Sequence, residues 1–460
     1  MIQNIHFIAI GGRSMHNLAI TLKKNGYSIT GSDAEIYNPS HSTLVKHNLL
    51  PERLGWFRER IHKDLDAVIV GGHISKDNPE LLKAQELGLT LYSYPEFIYE
   101  FSKRKKRVVI AGSHGKNTIA AIVMHVLEFY DIEFDYLIST PVYGQQETIK
   151  LSKHAKIIII EGDEDITSTI DNRSKFEHYK PDIALLNGIK WSYIEAFPTY
   201  KKYVSQFKKY LDSIKQRGKV IYSAEDDIVD EIISETTKNI YKIPYTHHPY
   251  EVFNNKTFLK ILGGRLPIHI FGKHNMHNIA GAIKICQSLH ISEEKFYRAV
   301  RSFTGTSKHL QLMGKSKSVN IYLDYAYSPT KLNATIKAIR EQYENRELVV
   351  CLELNSIHNF NASFLKQYNG SMNLADEKII YFNPTILQEK DGVSISKEDI
   401  KQAFGSTLIK VYSDIDDIKS ELYMIQWYNK NLLLMSSSDT PGITELNFQE
   451  LAKKISSLSV

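Results

Sequence analysis

Apolar residues in this chain fall in short runs of strand length, separated by stretches with helical spacing. Ile5 to Ile10 is one such run; Gly11-Gly12 break it, and Met15 to Lys24 repeats apolar positions at helical intervals. Further strands are predicted at Tyr27 to Thr30 and Ala67 to Val70, each ending in glycine or a small polar residue. The pattern restarts at Val108-Val109-Ile110, continues with an apolar helix running to Tyr130, and adds strands at Ile157 to Ile160, Ile183 to Leu186 and Val220 to Ser223. Met276 to Leu289 reads as a helix. Near Gly305 a third series begins, with strands at Asn320 to Leu323, Leu348 to Leu352, Lys378 to Phe382 and Leu432 to Met435. Strands alternating with helices predict an α/β fold with parallel sheets, because parallel neighbours need a crossover element.

At 460 residues the chain exceeds one ordinary core, so two or three domains are expected. A hydrophobic fraction of 42% is enough to fill them and excludes a largely disordered chain. The net charge of +5 suits anionic small molecules but is too weak to point to nucleic acid. Two cysteines, Cys286 and Cys351, sit in apolar surroundings without metal-ligand spacing, as expected of structural thiols in a reduced compartment. No apolar run is long enough to span a bilayer, and the first residues carry no basic leader, so a cytoplasmic protein without membrane contact is expected. The basic stretch Glu100 to Arg107 reads as a solvated boundary after the first domain. Repeats and low-complexity tracts are absent from the sequence.

Four motifs could carry chemistry. Gly112-Ser113-His114-Gly115-Lys116-Asn117-Thr118 lies between a predicted strand and an apolar helix. Glycines let backbone N–H groups close on a phosphate, the helix start adds positive potential, and a lysine adds a point charge. The spacing is an incomplete phosphate loop, with Ile110 where a glycine belongs and Asn117 where Ser or Thr belongs. Ile159-Ile160-Glu161-Gly162-Asp163-Glu164-Asp165 puts carboxylates at the end of a buried strand, which suits a Mg²⁺ bridging protein and phosphates, or simply an exposed acidic turn. Phe271-Gly272-Lys273-His274-Asn275-Met276-His277-Asn278 opens a helix with residues able to cap it or to hydrogen-bond a base. Ala9-Ile10-Gly11-Gly12-Arg13-Ser14 is a degraded dinucleotide turn, with Asp33 after the second strand where a ribose-binding acid would sit. An NAD oxidoreductase is disfavoured, since it needs neither the phosphate loop nor the acidic strand end.

In this order, together with Gly31-Ser32-Asp33, Asp77-Asn78-Pro79-Glu80, Asp324-Tyr325-Ala326-Tyr327-Ser328-Pro329 and Met435-Ser436-Ser437, the motifs resemble those of the Mur ligases, from the first strand to about Gly442. Within that family the chain is most similar to ligases that join UDP-N-acetylmuramate to a murein tripeptide; Asp171 to Pro181 and the C-terminal part distinguish it from the alanine-adding ligases. The resemblance implies a Rossmann-like UDP-sugar domain at 1–100, a P-loop ATPase-like central domain at 101–303 and a Rossmann-like peptide and nucleotide domain at 304–460. It implies ATP and Mg²⁺ as cofactors, an acyl-phosphate route to the amide bond in peptidoglycan synthesis or recycling, and a monomer or weak homodimer. Lys116 and Glu161 are the implied catalytic pair. Gly112, Ser113, His114, Gly115, Lys116, Asn117 and Thr118 hold phosphates, and Asn117 and Glu161 hold the metal. His274, Asn275 and Asn278 face the adenine, Lys308 and His309 the γ-phosphate, and Asp324 the ribose. Gly11, Gly12, Ser32 and Asp33 take the UDP part.

Four positions depart from the family pattern. Asn117 replaces a threonine, Tyr193 falls where a metal-binding histidine is usual, His309 replaces an arginine, and Tyr327 replaces a histidine. Asn117 can still offer an amide oxygen, whereas a neutral phenol is a poor Mg²⁺ ligand and imidazole lacks the guanidinium fork. Two expectations therefore stand side by side: an active ligase, and a catalytically degenerate relative that binds UDP-sugar or a partner without turnover.

Overall fold

The structure, a computed structural model, describes residues 2–141, 147–191, 197, 199–306, 309–316, 318–325, 328–354, 362–383, 395–436 and 448–458. By packing, these form two units. One holds the described residues up to 246 together with 280–296; the other holds 247–279 and those from 297 onward.

Among its described residues the first unit contains two large sheets and a two-stranded hairpin. Strands β1 (Asn4–Ile8), β2 (Ser28–Ser32), β3 (Ala67–Val70) and β4 (Thr90–Ser93) lie parallel in the order β2-β1-β3-β4. Strand β1 stops at Ile8 rather than at the predicted Ile10. Ala9 turns to φ 71°, and the N–H groups of Ala9 and Ile10 both donate to Ser32 O at 2.9 Å, which starts the glycine turn two residues early.

The second sheet comprises β5 (Lys106–Ala111), β6 (Asp135–Leu137), β7 (Ile149–Lys150), β8 (Ile157–Glu161), β11 (Ile183–Leu186), β12 (Lys219–Ser223) and β13 (Tyr241–Tyr245). Its order is β13-β12-β11-β5-β8-β6-β7, parallel except for the β6–β7 pair. Strand β5 lies between β8 and β11, so the chain winds away from it in both directions. Open parallel sheets bind ligands at such a switch point, beyond the carboxyl ends of the strands. The helix Lys116–Phe129 packs here and buries residues all along its length, including Ile119, Ile122, Val123 and Val126. Each such aliphatic side chain contributes roughly 1.5–3 kcal/mol on burial.

Between β8 and β11 the short hairpin β9 (Ile166–Ser168) and β10 (Asp171–Ser174) reaches the first sheet. Thr169 N donates to Gly72 O at 2.9 Å and its hydroxyl to Ile74 O at 2.6 Å. A separate seam joins the helix Arg13–Lys24 to the region around β7: Asn17 donates to Thr148 Oγ1 at 3.2 Å, and Asn25 to Leu151 O at 2.9 Å.

The basic stretch that runs into β5 is only partly solvated: Lys103, Arg104 and Lys106 are exposed, but Lys105 and Arg107 are not. Lys105 is buried, with Nζ bonded to Ser152 O, Ala155 O and the Asp135 carboxylate at 2.6–2.8 Å. Arg107 is 0% exposed; its guanidinium donates to Ser102 O, Tyr179 O and Lys180 O and pairs with Asp182 at 3.3 Å. Unpaired carbonyls at chain turns and acidic neighbours accept these cations, so a charge run that looks solvated instead fastens the central sheet.

In the second unit, the antiparallel strands β14 (Tyr250–Phe253), β15 (Lys256–Ile261) and β16 (Gly264–Ile268) form a ribbon that alternation alone did not reveal. A larger sheet follows, with β17 (Gln311–Lys315), β18 (Val319–Asp324), β19 (Glu347–Leu354), β20 (Glu377–Phe382), β21 (Lys410–Tyr412) and β22 (Lys430–Met435) in the order β17-β18-β22-β19-β20-β21. It is parallel apart from the edge pair β17–β18. Its two faces bury separate clusters, one around Leu332, Ile336 and Phe404 and one around Ile418, Trp427 and Ile455. Cys286 and Cys351 are free and buried, and burial pushes both thiols well up, as structural cysteines require.

Candidate functional site

The phosphate-loop motif leaves the end of β5. Gly112 takes φ 128°, and a Cβ there would lie 3.0 Å from Gly188 O and 3.1 Å from Asn187 N, so only glycine fits. Gly115 takes φ 79° and opens the helix Lys116–Phe129. The loop is pinned to the turn after β11: Ser113 N donates to Gly188 O, and Asn187 Nδ2 to His114 O, both at 2.9 Å.

Strand register brings the acidic motif alongside. Ile110 of β5 pairs with Glu161 of β8, and Gly162 N donates to Ile110 O at 2.8 Å. A Cβ at Gly162 would meet Val109 Cγ1 at 2.9 Å, so glycine is what allows the two strand ends to lie flush. Lys116, Asn117, Glu161 and Glu164 thus converge at one sheet edge. Lys116 Nζ donates to Glu164 Oε2 at 2.9 Å and to Gly112 O at 2.8 Å. Burial opposes its charge, but Glu164, Glu161 and Asp163 more than compensate and hold the ammonium protonated. Burial pushes the Glu161 carboxyl up, against the pull of Lys116 and the N–H of Ser139 at 2.7 Å. Asp163 also resists burial; Lys175, 2.9 Å away, and Lys116 hold it below its usual range.

The Asn117 amide lies against the Glu161 carboxylate; turned so that its nitrogen faces the acid, it donates there and accepts the Ser139 hydroxyl on its oxygen at 3.2 Å. A hard cation would find a carboxylate, an amide oxygen after rotation and the Ser139 hydroxyl within this cluster, so the donor set fits Mg²⁺. The sequence places Glu164 only among the acids of the strand end and gives no role to Tyr203, which donates to Glu164 at 3.1 Å. The only sequence cue for Tyr203 is its place on the buried face of the helix Tyr200–Ser213, where it resembles any core aromatic.

The N-terminal turn is also assembled. Asp33 Oδ2 accepts the Gly11 N–H at 2.7 Å, and its Oδ1 accepts from Ala34 N at 2.9 Å. The acid thereby shapes the turn itself. Ser32 is fully buried and donates to Glu80, which also receives Phe57 N at 2.8 Å and lies 3.6 Å from Arg60. The Ser32 hydroxyl, expected to face a substrate, points instead into this buried network because Glu80 offers it a charged acceptor.

In the second unit, Asn275 and Asn278 are buried, with Asn275 donating to Phe271 O at 2.9 Å and Asn278 to Asn275 Oδ1 at 3.3 Å. Burial lowers the basicity of His274, partly offset by Asp324. Asp324 is buried, accepts from Thr335 at 2.6 Å and lies 3.6 Å from His309 Nδ1. Burial disfavours its charge, but His309 and Thr335 hold it below the usual carboxylate range. Lys308, Tyr193, Tyr327 and Ser437 lie outside the described residues. A further polar cluster, Glu96, Asp171 and His178, escaped the sequence reading; the Arg173 guanidinium bridges its two carboxylates.

None of the described helices is long and apolar enough to cross a membrane. Residues 4–106 match the Mur ligase family catalytic domain and residues 110–286 the Mur ligase middle domain. The UDP-N-acetylmuramate–L-alanine ligase of Desulforamulus reducens is 26% identical over 76% of both chains. The Escherichia coli UDP-N-acetylmuramate–L-alanyl-γ-D-glutamyl-meso-2,6-diaminoheptandioate ligase is 25% identical over 98% of both. Among solved structures, a murein peptide ligase from Psychrobacter arcticus superposes with a TM-score of 0.60 at 21% identity, covering all of both chains. A UDP-N-acetylmuramate–alanine ligase from Thermotoga maritima gives 0.65 at 18%, covering 99% of this chain and 98% of that one. Two domain matches in the family's own order, over more than half of the sequence and joined at the strand pair that carries the loop and the acid, mean that this chain belongs to the Mur ligase family.

Proposed function

We propose that this protein is an ATP-dependent, cytoplasmic amide ligase of peptidoglycan metabolism, joining UDP-N-acetylmuramate to a murein peptide. The observation that carries the reading is the convergence of Lys116, Asn117 and Glu161 at the carboxyl edge of adjacent strands. Support for the peptide substrate comes from the similarity to the Escherichia coli enzyme, which extends over nearly the whole chain.

In this reading a carboxylate of the sugar nucleotide accepts the γ-phosphoryl group, the peptide amine attacks the acyl phosphate, and phosphate leaves. The demand on the protein is to position anionic groups and to neutralise them. Lys116 spends two N–H donors on Gly112 and Glu164 and retains a third for a phosphate oxygen. Loop N–H groups and the start of the Lys116–Phe129 helix add positive potential. A bound Mg²⁺, held by Glu161 and the Asn117 oxygen, would neutralise phosphate charge. The turn at Gly11-Gly12, fixed by Asp33, takes the UDP part.

A second reading, a relative that binds without turnover, draws support from Asn117, whose amide, with its nitrogen turned to Glu161, would occupy the carboxylate a metal would use. Phosphate release by the purified protein with ATP, Mg²⁺ and UDP-N-acetylmuramate decides between them, with tripeptide or L-alanine as acceptor. Tripeptide-dependent release supports the ligase. A silent parent whose Asn117→Thr, Tyr193→His, His309→Arg variant turns over supports the degenerate relative. No nucleotide binding by either protein rejects the ligase and any relative that binds a UDP-sugar.

A further inference from the structure

A string of hydrogen bonds runs beneath the phosphate loop, entirely within the first unit. Lys190 N donates to Ser113 Oγ at 2.8 Å, Ser113 Oγ lies 2.8 Å from Tyr203 OH, and Tyr203 OH donates to Glu164 Oε1 at 3.1 Å. Glu164 Oε2 then accepts Lys116 Nζ. Directions along the string are forced. A carboxylate can only accept, so the single phenolic proton goes to Glu164; Tyr203 must then accept from Ser113, whose oxygen accepts from the backbone. Every donor points toward the carboxylate, an arrangement in which successive bonds polarise one another. Tyr203 is 2% exposed, and its ring is clasped edge-on by Phe197 and Phe207 at 5.7 and 5.2 Å, so the hydroxyl has little freedom to move.

We infer that Tyr203 is a positioning residue for the phosphate loop: through Glu164 on one side and Ser113 on the other, it fixes where Lys116 waits for the nucleotide. The inference rests on the ligase reading for its ligand but not for its geometry. Lys116 is anchored to two acceptors before any phosphate arrives, so its third N–H is aimed without a search. Loss of the phenolic proton frees Glu164 and Ser113 together, which spreads the lysine over several positions.

The test uses the full-length protein and three variants. Tyr203→Phe keeps the ring and removes the hydroxyl; Ser113→Ala breaks the string one link earlier. Tyr210→Phe is the control, since it removes another buried hydroxyl of the same helix, one that donates to the backbone oxygen of Val109 at 2.8 Å. Calorimetric titration with ADP and with inorganic tripolyphosphate should show affinity falling about tenfold in Tyr203→Phe and Ser113→Ala, the scale of a lost hydrogen bond to a charged group. Tyr210→Phe should bind like the parent. In parallel, acetic anhydride labelling of Lys116, read by mass spectrometry without ligand, should run several-fold faster in the first two variants only. Parental affinity and parental labelling in Tyr203→Phe would overturn the inference, as would equal losses in Tyr210→Phe, which mark a merely structural effect. A parent that binds neither ligand rejects the ligase reading, and the labelling arm alone then judges the string.

Discussion

The side-chain amide of Asn117 lies against the carboxylate of Glu161, joining the first turn of the phosphate-loop helix to the end of the neighbouring strand, and donates to it when its nitrogen faces the acid. A side chain with a hydroxyl in place of that amide would leave the carboxylate oxygens open to a cation. Asn117→Thr is therefore expected to increase the Mg²⁺ dependence of ADP binding, with affinity at millimolar Mg²⁺ rising about tenfold over the parent, the scale of one charge-assisted contact. Titration calorimetry with and without EDTA measures it; identical Mg²⁺ dependence in both proteins would show that the amide is no obstacle.

Lys116 balances a pocket of carboxylates, so its loss acts twice. Lys116→Met is expected to abolish measurable nucleotide binding. It also leaves Glu164, 12% exposed at its side chain, without its cation, and breaking a buried pair of this kind costs about 3–5 kcal/mol. Urea unfolding followed by circular dichroism would register that loss as a lower midpoint at unchanged slope.

Arg107 is expected to matter for folding rather than for chemistry. Arg107→Met removes the donors that satisfy the buried Ser102 O and Tyr179 O, and one to the part-buried Lys180 O. Each buried acceptor left unsatisfied costs about 1–3 kcal/mol. The expected outcome is a thermal midpoint many degrees lower, or accumulation in the insoluble fraction, while Arg104→Met stays near the parent.

Acid should weaken the first unit through His178. Burial lowers the pKa of this histidine below the ordinary 6.5, as does Arg173, so the folded protein holds it neutral where the unfolded chain would protonate it. Below pH 6.5 the unfolded state takes up more protons, and stability falls as the pH drops. His178→Gln is expected to be less stable than the parent at pH 7.5 yet to lose less between pH 7.5 and 5.5. Urea midpoints across that range check the sign, and parallel slopes in the two proteins would refute it.

Much of this was legible in the sequence. Glycines at 112 and 115 and the lysine after them announced the loop, because the conformations required there admit almost no other residue. Buried parallel strands such as β8 and β11 were plain, being continuous apolar runs flanked by helices. The antiparallel ribbon β14–β16 and the edge strands β4, β7, β13, β17 and β21 were not, because short exposed strands carry little hydrophobic contrast. Side-chain networks were the least visible. Lys105 and Arg107 looked solvated because their acceptors, at Ser152, Ala155, Tyr179 and Lys180, lie far along the chain. Tyr203 looked like filler because only the fold sets its hydroxyl beside Glu164.

The two seams between the first sheet and the central one, at Thr169 and along the helix Arg13–Lys24, lie on separate stretches of chain and use backbone groups as well as side chains. A body stitched along two lines cannot hinge about either without tearing the other. The glycine turn that would receive a sugar nucleotide and the loop that would receive a triphosphate are therefore held at constant separation. Spectroscopic labels on exposed sites of the two sheets, at Lys63 and Lys215 for example, should report the same distance before and after a ligand arrives.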